Sequence, residues 1–278
     1  MVSHPGEQEV TSEQKVRSEQ QVRVIRNQQL NEQSVLLTLE APAIAQSAQP
    51  GQFVNLACNK FLRRPIGIMQ TDRNTGLIKI GIRIQGEGTR WLANAQPGDS
   101  LSALGPLGHG FELANCRRII TVGGGTGVFP LFFVQQRCHE LDLESIAVCG
   151  FRSRTDSVLT GDYAGLGCRT LFASDCGDLD VPGHAAQALL QLLSDLPEKE
   201  GTAILTCGPK VMMQAVARIA AEYKIPCQVS LEERMACGIG VCLVCACAVK
   251  NGGEQGTSYQ RCCVEGPVFP AEVIQWST

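Results

Sequence analysis

The sequence has few aromatic residues, few histidines and almost no excess of either charge. Aromatic residues make up 5% of the 278 positions, and the formal net charge is −3. Because there is no basic excess, the chain lacks the electrostatic footprint of a nucleic-acid-binding protein. No paired carboxylate or activated nucleophile stands out, and no histidine has metal-ligand or triad spacing, so no catalytic residue is predicted. The four histidines are His4, His109, His139 and His184.

The sequence also lacks a long apolar run and a secretory signal. The uncharged stretch between Ile119 and Arg137 is interrupted by four glycines and a proline, so no membrane span is expected. The first ten residues do not join a basic segment to an apolar one, as a signal peptide would. A chain with fourteen cysteines and no signal is expected in the reducing cytoplasm, where clustered cysteines bind metals or exchange electrons.

The sequence divides into a tail and three units, which together predict an α+β multidomain protein. Residues 1–20 are rich in Glu, Gln and Ser, and predict a disordered tail. Residues 21–115 contain short alternating apolar runs separated by Gly and Pro turns, which predict an antiparallel β-barrel with one short helix at 89–94. In residues 116–226 buried strands alternate with helices, which indicates an α/β domain with a parallel sheet. Residues 227–278 are too short and cysteine-rich to hold a core without a metal.

Cysteine spacing in the last unit predicts an iron–sulfur site. Four residues separate Cys237 from Cys242, and two separate Cys242 from Cys245. This is the plant-type spacing of a [2Fe–2S] cluster, which needs one further thiolate. Either Cys262 or Cys263 can supply it, and spacing does not choose between them. The alternative is a zinc-stapled binding protein, in which zinc holds the last unit together and the nucleotide fold is vestigial.

Two turns of the α/β unit predict a nicotinamide dinucleotide site. The first follows a strand and opens a helix, where backbone N–H groups can bind a pyrophosphate. The second lies at the equivalent end of a later strand and could face the nicotinamide. Arg152, Arg154 and Asp156 follow another strand and could contact ribose or phosphate, or form only a solvated loop. The first turn contains Gly123, Gly124, Gly125, Thr126 and Gly127, and the second Cys207, Gly208 and Pro209.

The barrel unit carries an Arg-Pro motif and a glycine-rich helix start. A guanidinium and the N–H groups at a helix start would together suit a pyrophosphate. Arginines at barrel edges can also be merely solvated, so these residues alone leave both readings open. The motifs are Arg64, Pro65, Ile66 and Gly67, followed by Gly88 and Thr89.

Taken in order, these motifs resemble one family over nearly the whole chain after residue 20. It is the electron-transfer subunit of NAD-dependent (type B) dihydroorotate dehydrogenase, within the ferredoxin–NADP reductase superfamily. The resemblance implies FAD on the barrel, with residues 64–67 matching an Arg-Pro-x-Ser motif and residues 88–89 near the phosphates. It places Ile82, Arg83 and Ile84 beside the adenine. Two departures are Gly67 in place of the serine, and Ile82 where an aromatic residue is common.

The resemblance also implies a fourth cluster ligand, a partner and a direction of electron flow. The family's last ligand precedes a Gly-Pro-Val-Phe stretch, here residues 266–269, and the match is Cys263. The partner is an FMN-containing catalytic subunit that oxidises dihydroorotate in pyrimidine biosynthesis, in a heterotetramer of two copies of each. Electrons would reach exchangeable NAD through the cluster and FAD, because a flavin can exchange electrons singly or in pairs. An alternative is the flavin and [2Fe–2S] subunit of an NAD(P)H-dependent ferredoxin or sulfide oxidoreductase.

Overall fold

The computed structural model describes residues 19–251 and 256–276, and its first six strands close into an antiparallel barrel. The strands follow the order β1-β2-β5-β4-β3-β6 around the barrel. Alternation explains the core: Ile78, Ile80 and Ile82 of β5 all point inward, because successive side chains of a strand face opposite sides. The predicted barrel is confirmed. Its strands are β1 (Glu19–Asn31), β2 (Ser34–Glu40), β3 (Phe53–Leu56), β4 (Arg64–Asp72), β5 (Leu77–Arg83) and β6 (Ser100–Leu107).

Two short helices accompany the barrel. Helix α1 (Pro42–Ser47) covers one end, and α2 (Glu87–Ala93) begins two residues before the predicted helix at 89–94. The hydroxyl of Thr89 accepts a hydrogen bond from the backbone N–H of Gly86 at 3.1 Å, which fixes the start of α2. Of the predicted tail, residues 1–18 lie outside the described residues, and residues 19–20 already belong to β1.

The second unit is a seven-stranded sheet, and its predicted parallel strands are confirmed. The order is β10-β9-β8-β7-β11-β12-β15, and all neighbouring pairs are parallel except the last. The strands are β7 (Arg118–Gly124), β8 (Glu144–Phe151), β9 (Arg169–Ser174), β10 (Val181–Pro182), β11 (Thr202–Cys207), β12 (Cys227–Ser230) and β15 (Val268–Pro270). The helices are α3 (Val128–Glu140), α4 (Thr160–Gly165), α5 (Ala185–Asp195) and α6 (Lys210–Glu222).

Helix α3 joins the sheet to the barrel. Phe133 packs into the barrel core, and the ring of Phe129 lies where a Cβ at Gly81 would come within 2.3 Å of it. The side chain of Gln136 donates to the carbonyl of Thr71 on β4 at 2.8 Å. These contacts hold the start of α3, and the glycine-rich turn before it, against the barrel.

The C-terminal unit is joined to the sheet of the second unit by strand pairing. Its hairpin consists of β13 (Ala246–Asn251) and β14 (Gly256–Arg261). Beyond the hairpin, β15 pairs antiparallel with β12, so the nucleotide sheet takes its last strand from the cysteine-rich unit. No helix in the described ranges is long and apolar enough to cross a membrane.

Candidate functional site

The cysteine loop between β12 and β13 carries three of the predicted ligands, and the segment after β14 carries Cys263, so that the four cysteines lie in two pairs. The backbone N–H of Cys242 donates to the sulfur of Cys237 at 3.5 Å, and the Cys263 and Cys245 thiols are hydrogen-bonded to each other. Four thiolates shared between two irons need such a division. In the part of the chain that the structure describes, no group of three or more His, Cys, Asp or Glu side chains is close enough to hold one metal ion. The four thiols match the Cys₄ donor set of a [2Fe–2S] cluster, so the residue types fit that group.

Cys262 points away from these pairs. Its thiol is fully buried and donates to the carbonyl of Leu231 at 3.3 Å. The neighbouring Cys263 faces Cys245 and receives a hydrogen bond from the backbone of Gly240. This arrangement supports Cys263 as the fourth ligand.

The loop supplies N–H donors to a thiolate. Burial opposes ionisation of Cys237, but backbone N–H groups of Ile239, Val241 and Cys242 lower its pKa to about 6. The loop can turn its N–H groups inward because Gly238 and Gly240 have φ values of +72° and +88°, which favour glycine. The same donors would stabilise the negative charge of a cluster.

A cavity of about 310 Å³ separates the barrel from the glycine-rich turn. Its barrel wall includes Pro65, Ile66, Gly67 and Thr89, and other walls include Thr126, Cys207 and Glu232. The Arg64 guanidinium packs over the start of α2, where a Cβ at Gly88 would lie 2.5 Å from it. The cationic side chain and the helix start thus converge, as a pyrophosphate would need.

Of the three residues at and just after the end of β5 that are assigned to the adenine side, one faces the cavities. Arg83 lines both this cavity and the nucleotide cavity described below. Ile82 is fully buried in the barrel core, and Ile84 packs against that core. The structure also gives a reason for Gly67: a Cβ there would lie 3.3 Å from the ring of Pro130, so little room exists for a serine side chain.

A second cavity, of about 960 Å³, lies at the carboxyl ends of the parallel strands. Gly124, Gly125, Thr126 and Pro209 line it. The two predicted turns abut, since Cys207 and Gly123 are neighbours in the sheet register and a Cβ at Gly127 would lie 2.1 Å from the Cys207 carbonyl oxygen. Gly208 joins this contact with a φ of +147°. Thr126 lines both cavities, so they meet at the turn.

The loop after β8 carries three residues predicted to contact ribose or phosphate or to be solvated, and two of them line the nucleotide cavity. Arg152 and Asp156 line the nucleotide cavity and form an ion pair at 3.7 Å. The backbone N–H of Arg154 instead donates to the carboxylate of Asp178 at 2.9 Å, and Arg154 is outside the cavity lining.

Sequence reasoning missed several residues that line the cavities. Asn31, Asp175 and His184 border the nucleotide cavity, and none lies in a recognisable motif. Glu232 borders the flavin-side cavity, and burial raises its pKa while Arg83 acts in the opposite direction. Cys207 is buried, and burial followed by the charge of Glu232 raises its pKa well above the usual value. Cys207 therefore stays a neutral thiol.

A barrel joined to a parallel nucleotide sheet, with two cavities meeting at a glycine-rich turn, defines a reductase-like class of fold. A solved NADH-dependent reduced ferredoxin–NADP oxidoreductase has a similar fold, with a TM-score of 0.81 and 24% identity over 91% of this chain and 89% of that chain. A ferredoxin reductase in carbazole 1,9a-dioxygenase has a TM-score of 0.63 and 20% identity, over 75% of this chain and 67% of that chain.

Within that class the chain belongs to the family of electron transfer subunits of dihydroorotate dehydrogenase B (NAD(+)). The model of the iron-sulfur cluster binding domain of dihydroorotate dehydrogenase B matches residues 232–275. A family member from Geobacillus thermodenitrificans is 36% identical over 263 residues, which is 90% of this chain and 96% of that protein. Another, from Desulforamulus reducens, is 34% identical over 245 residues, which is 86% of this chain and 92% of that protein.

Proposed function

We propose that this chain passes electrons from the FMN of a dihydroorotate-oxidising partner, through a [2Fe–2S] cluster and FAD, to NAD⁺ in pyrimidine biosynthesis. The observation that carries the proposal is the arrangement of three sites in one chain. The paired thiols lie beside the barrel, and the barrel cavity opens onto the nucleotide cavity at Thr126. A nicotinamide exchanges hydride, a cluster exchanges single electrons, and a flavin can do both.

The residues of this chain divide the work of binding among the three groups. Arg64 and the start of α2 would hold the FAD pyrophosphate, and residues 65–67 would form the wall beside the ring. The glycine-rich turn at 123–127 would bind the NAD pyrophosphate, and the Cys207–Pro209 turn would face its nicotinamide. Cys237, Cys242, Cys245 and Cys263 would ligate the cluster. Thr126 and Arg83 line both cavities, which supports hydride exchange between groups bound in them.

The surface of the cysteine loop supports a role in docking the catalytic subunit. Ile239, Val241, Leu243 and Val244 are all exposed, and Cys242 among them is also exposed. Exposed apolar groups concentrated on one loop are typical of an interaction surface. We propose that the partner covers this loop, in a heterotetramer of two copies of each chain. We place the complex in the cytoplasm, where clustered cysteines stay reduced and can bind a metal.

The experiment that tests this function combines the purified chain with its FMN-containing catalytic subunit, dihydroorotate and NAD⁺. NADH should form only when both chains are present, because this chain holds the NAD site. Omitting either chain is the control. The absence of NADH in the complete mixture, with flavin and iron both bound, would contradict the proposed partner.

The ferredoxin or sulfide oxidoreductase alternative predicts a different result in the same experiment. A chain of that kind would oxidise NADH or NADPH with ferredoxin or a sulfur acceptor and without the catalytic subunit. The zinc-stapled alternative is wrong, because residues 232–275 match an iron-sulfur cluster binding domain.

A further inference from the structure

Asn55 lies on β3 where the barrel meets the cysteine loop. Its side chain is 1% exposed, and its Nδ2 donates to the backbone carbonyl of Cys237 at 3.2 Å. The loop passes so close that a Cβ at Gly238 would lie 2.5 Å from the same nitrogen. A barrel residue therefore holds the backbone of a proposed cluster ligand.

The same side chain lies on the strand face that forms the flavin-side cavity. In the register of β3 with β4, Phe53 is opposite Gly67 and Asn55 is opposite Pro65. Val54 and Leu56 point into the barrel core, so Phe53 and Asn55 share the outer face. Phe53, Pro65 and Gly67 line the cavity, and Asn55 is the next residue along that face toward the cysteine loop.

The carbonyl oxygen of Asn55 has no hydrogen-bond partner among the described residues. Within those residues one other buried side-chain atom shares this condition, the Oε1 of Gln135. Leaving a buried acceptor unpaired costs about 1–3 kcal/mol, so such an atom needs an explanation. Asn55 shares its strand face with Phe53, which lines the flavin-side cavity, although Asn55 is itself outside that lining. The Gln135 oxygen is inside the nucleotide domain, on helix α3, and the nitrogen of the same amide donates to the Thr121 hydroxyl at 2.7 Å.

We propose that Asn55 is a positioning residue that links the two cofactors. Its amide N–H group holds the carbonyl of Cys237, and its carbonyl oxygen accepts a hydrogen bond from the bound flavin. The donor is an N–H of the flavin ring or a hydroxyl of its ribityl chain, since these are the groups that a carbonyl can bond. One side chain would thus fix the distance between flavin and cluster. The inference rests on the proposed function, because it needs both groups to be bound.

The test compares Asn55→Leu with Gln135→Met in the protein as purified with FAD and iron. Asn55→Leu keeps a similar volume and removes both hydrogen bonds, whereas Gln135→Met removes the other unpaired oxygen far from the cysteine loop. The readouts are the rate of iron loss to a chelator and the affinity for FAD, measured by the fluorescence of released flavin. Asn55→Leu should lose iron roughly 10- to 100-fold faster. It should bind FAD about 2- to 12-fold more weakly, and Gln135→Met should match the unaltered protein in both.

Two further comparisons complete the test. FAD methylated at the ring N–H identifies the donor. If that N–H bonds to Asn55, the methylated flavin should bind the unaltered protein and Asn55→Leu with equal affinity. If a ribityl hydroxyl is the donor, the methylated flavin should still bind Asn55→Leu more weakly than the unaltered protein. Asn55→Ser, which is too short to reach Cys237, provides a second variant should Asn55→Leu fail to fold. Unchanged iron and FAD retention in the folded Asn55 variant, or equal losses in Gln135→Met, would overturn the inference. Failure of the proposed function is distinguishable, because that function is measured as NADH formation with the catalytic subunit, whereas iron loss and FAD affinity are measured on this chain alone.

Discussion

Replacing Cys263 with serine should strip the chain of iron, whereas replacing Cys262 should not. Cys263 faces Cys245 within one of the two thiol pairs, and Cys262 bonds the carbonyl of Leu231 at 3.3 Å. A serine at 262 can donate to the same carbonyl, so that change should cost only about 1 kcal/mol of unfolding free energy. A serine at 263 removes a ligand. Its effect on iron retention should exceed the roughly 10- to 100-fold loss that follows changes in residues that merely support ligands.

The assay for this pair of variants is iron and acid-labile sulfide content after anaerobic purification, with chemical denaturation as a measure of folding. Cys262→Ser should retain the iron of the unaltered protein. Cys263→Ser should contain little, even when its barrel still binds FAD. Equal iron loss in the two variants would refute the reasoning, because the two thiols would then contribute alike despite pointing in different directions.

Three further changes test other parts of the site. In iron-depleted protein Cys237 should be half-maximally alkylated near pH 6, because only the thiolate reacts. A midpoint above pH 8 would contradict the conclusion that backbone N–H groups lower the pKa of Cys237. Gly127→Ala places a Cβ 2.1 Å from the carbonyl oxygen of Cys207. It should lower the free energy of unfolding by about 1–3 kcal/mol and weaken NAD binding. The control, Gly161→Ala, has open space around the added Cβ and should change neither quantity. Arg64→Leu should weaken FAD binding about 10- to 100-fold in a fluorescence titration, and Arg90→Leu on the exposed side of α2 should have little effect.

The sequence predicted those elements whose signal is local. Helix α3 and the strands around it were recognisable because apolar periodicity changes abruptly at the glycine-rich turn. Strands β4 and β6 are hard to recognise in the sequence, since β4 begins with an Arg-Pro pair and β6 contains Gly105 and Pro106, which depart from simple alternation. Strand β15 has three residues and is formed by pairing with β12, which lies some forty residues earlier in the chain. A pairing between units leaves no periodic pattern in either segment.

The same distinction applies to the site. The cysteine spacing is a local pattern, so three cluster ligands could be proposed from it directly. The choice between Cys262 and Cys263 depends on where each side chain points, which spacing alone does not determine. Asp175 and His184 reach the nucleotide cavity from separate strand and helix ends, and Asn55 reaches the cysteine loop from the barrel. Such contacts follow from sheet register and domain packing rather than from patterns among neighbouring residues in the sequence.

The antiparallel pairing of β15 with β12 has a consequence for anyone who wishes to dissect this protein. A truncated chain ending before residue 231 would turn β12 into a bare sheet margin, with the N–H and C=O groups of Cys227–Ser230 open to pairing with another molecule. Such margins promote aggregation. The cluster-binding portion thus covers an edge of the nucleotide sheet in addition to carrying electrons. A chimera that exchanges the nucleotide domain must therefore exchange the cluster-binding portion as well.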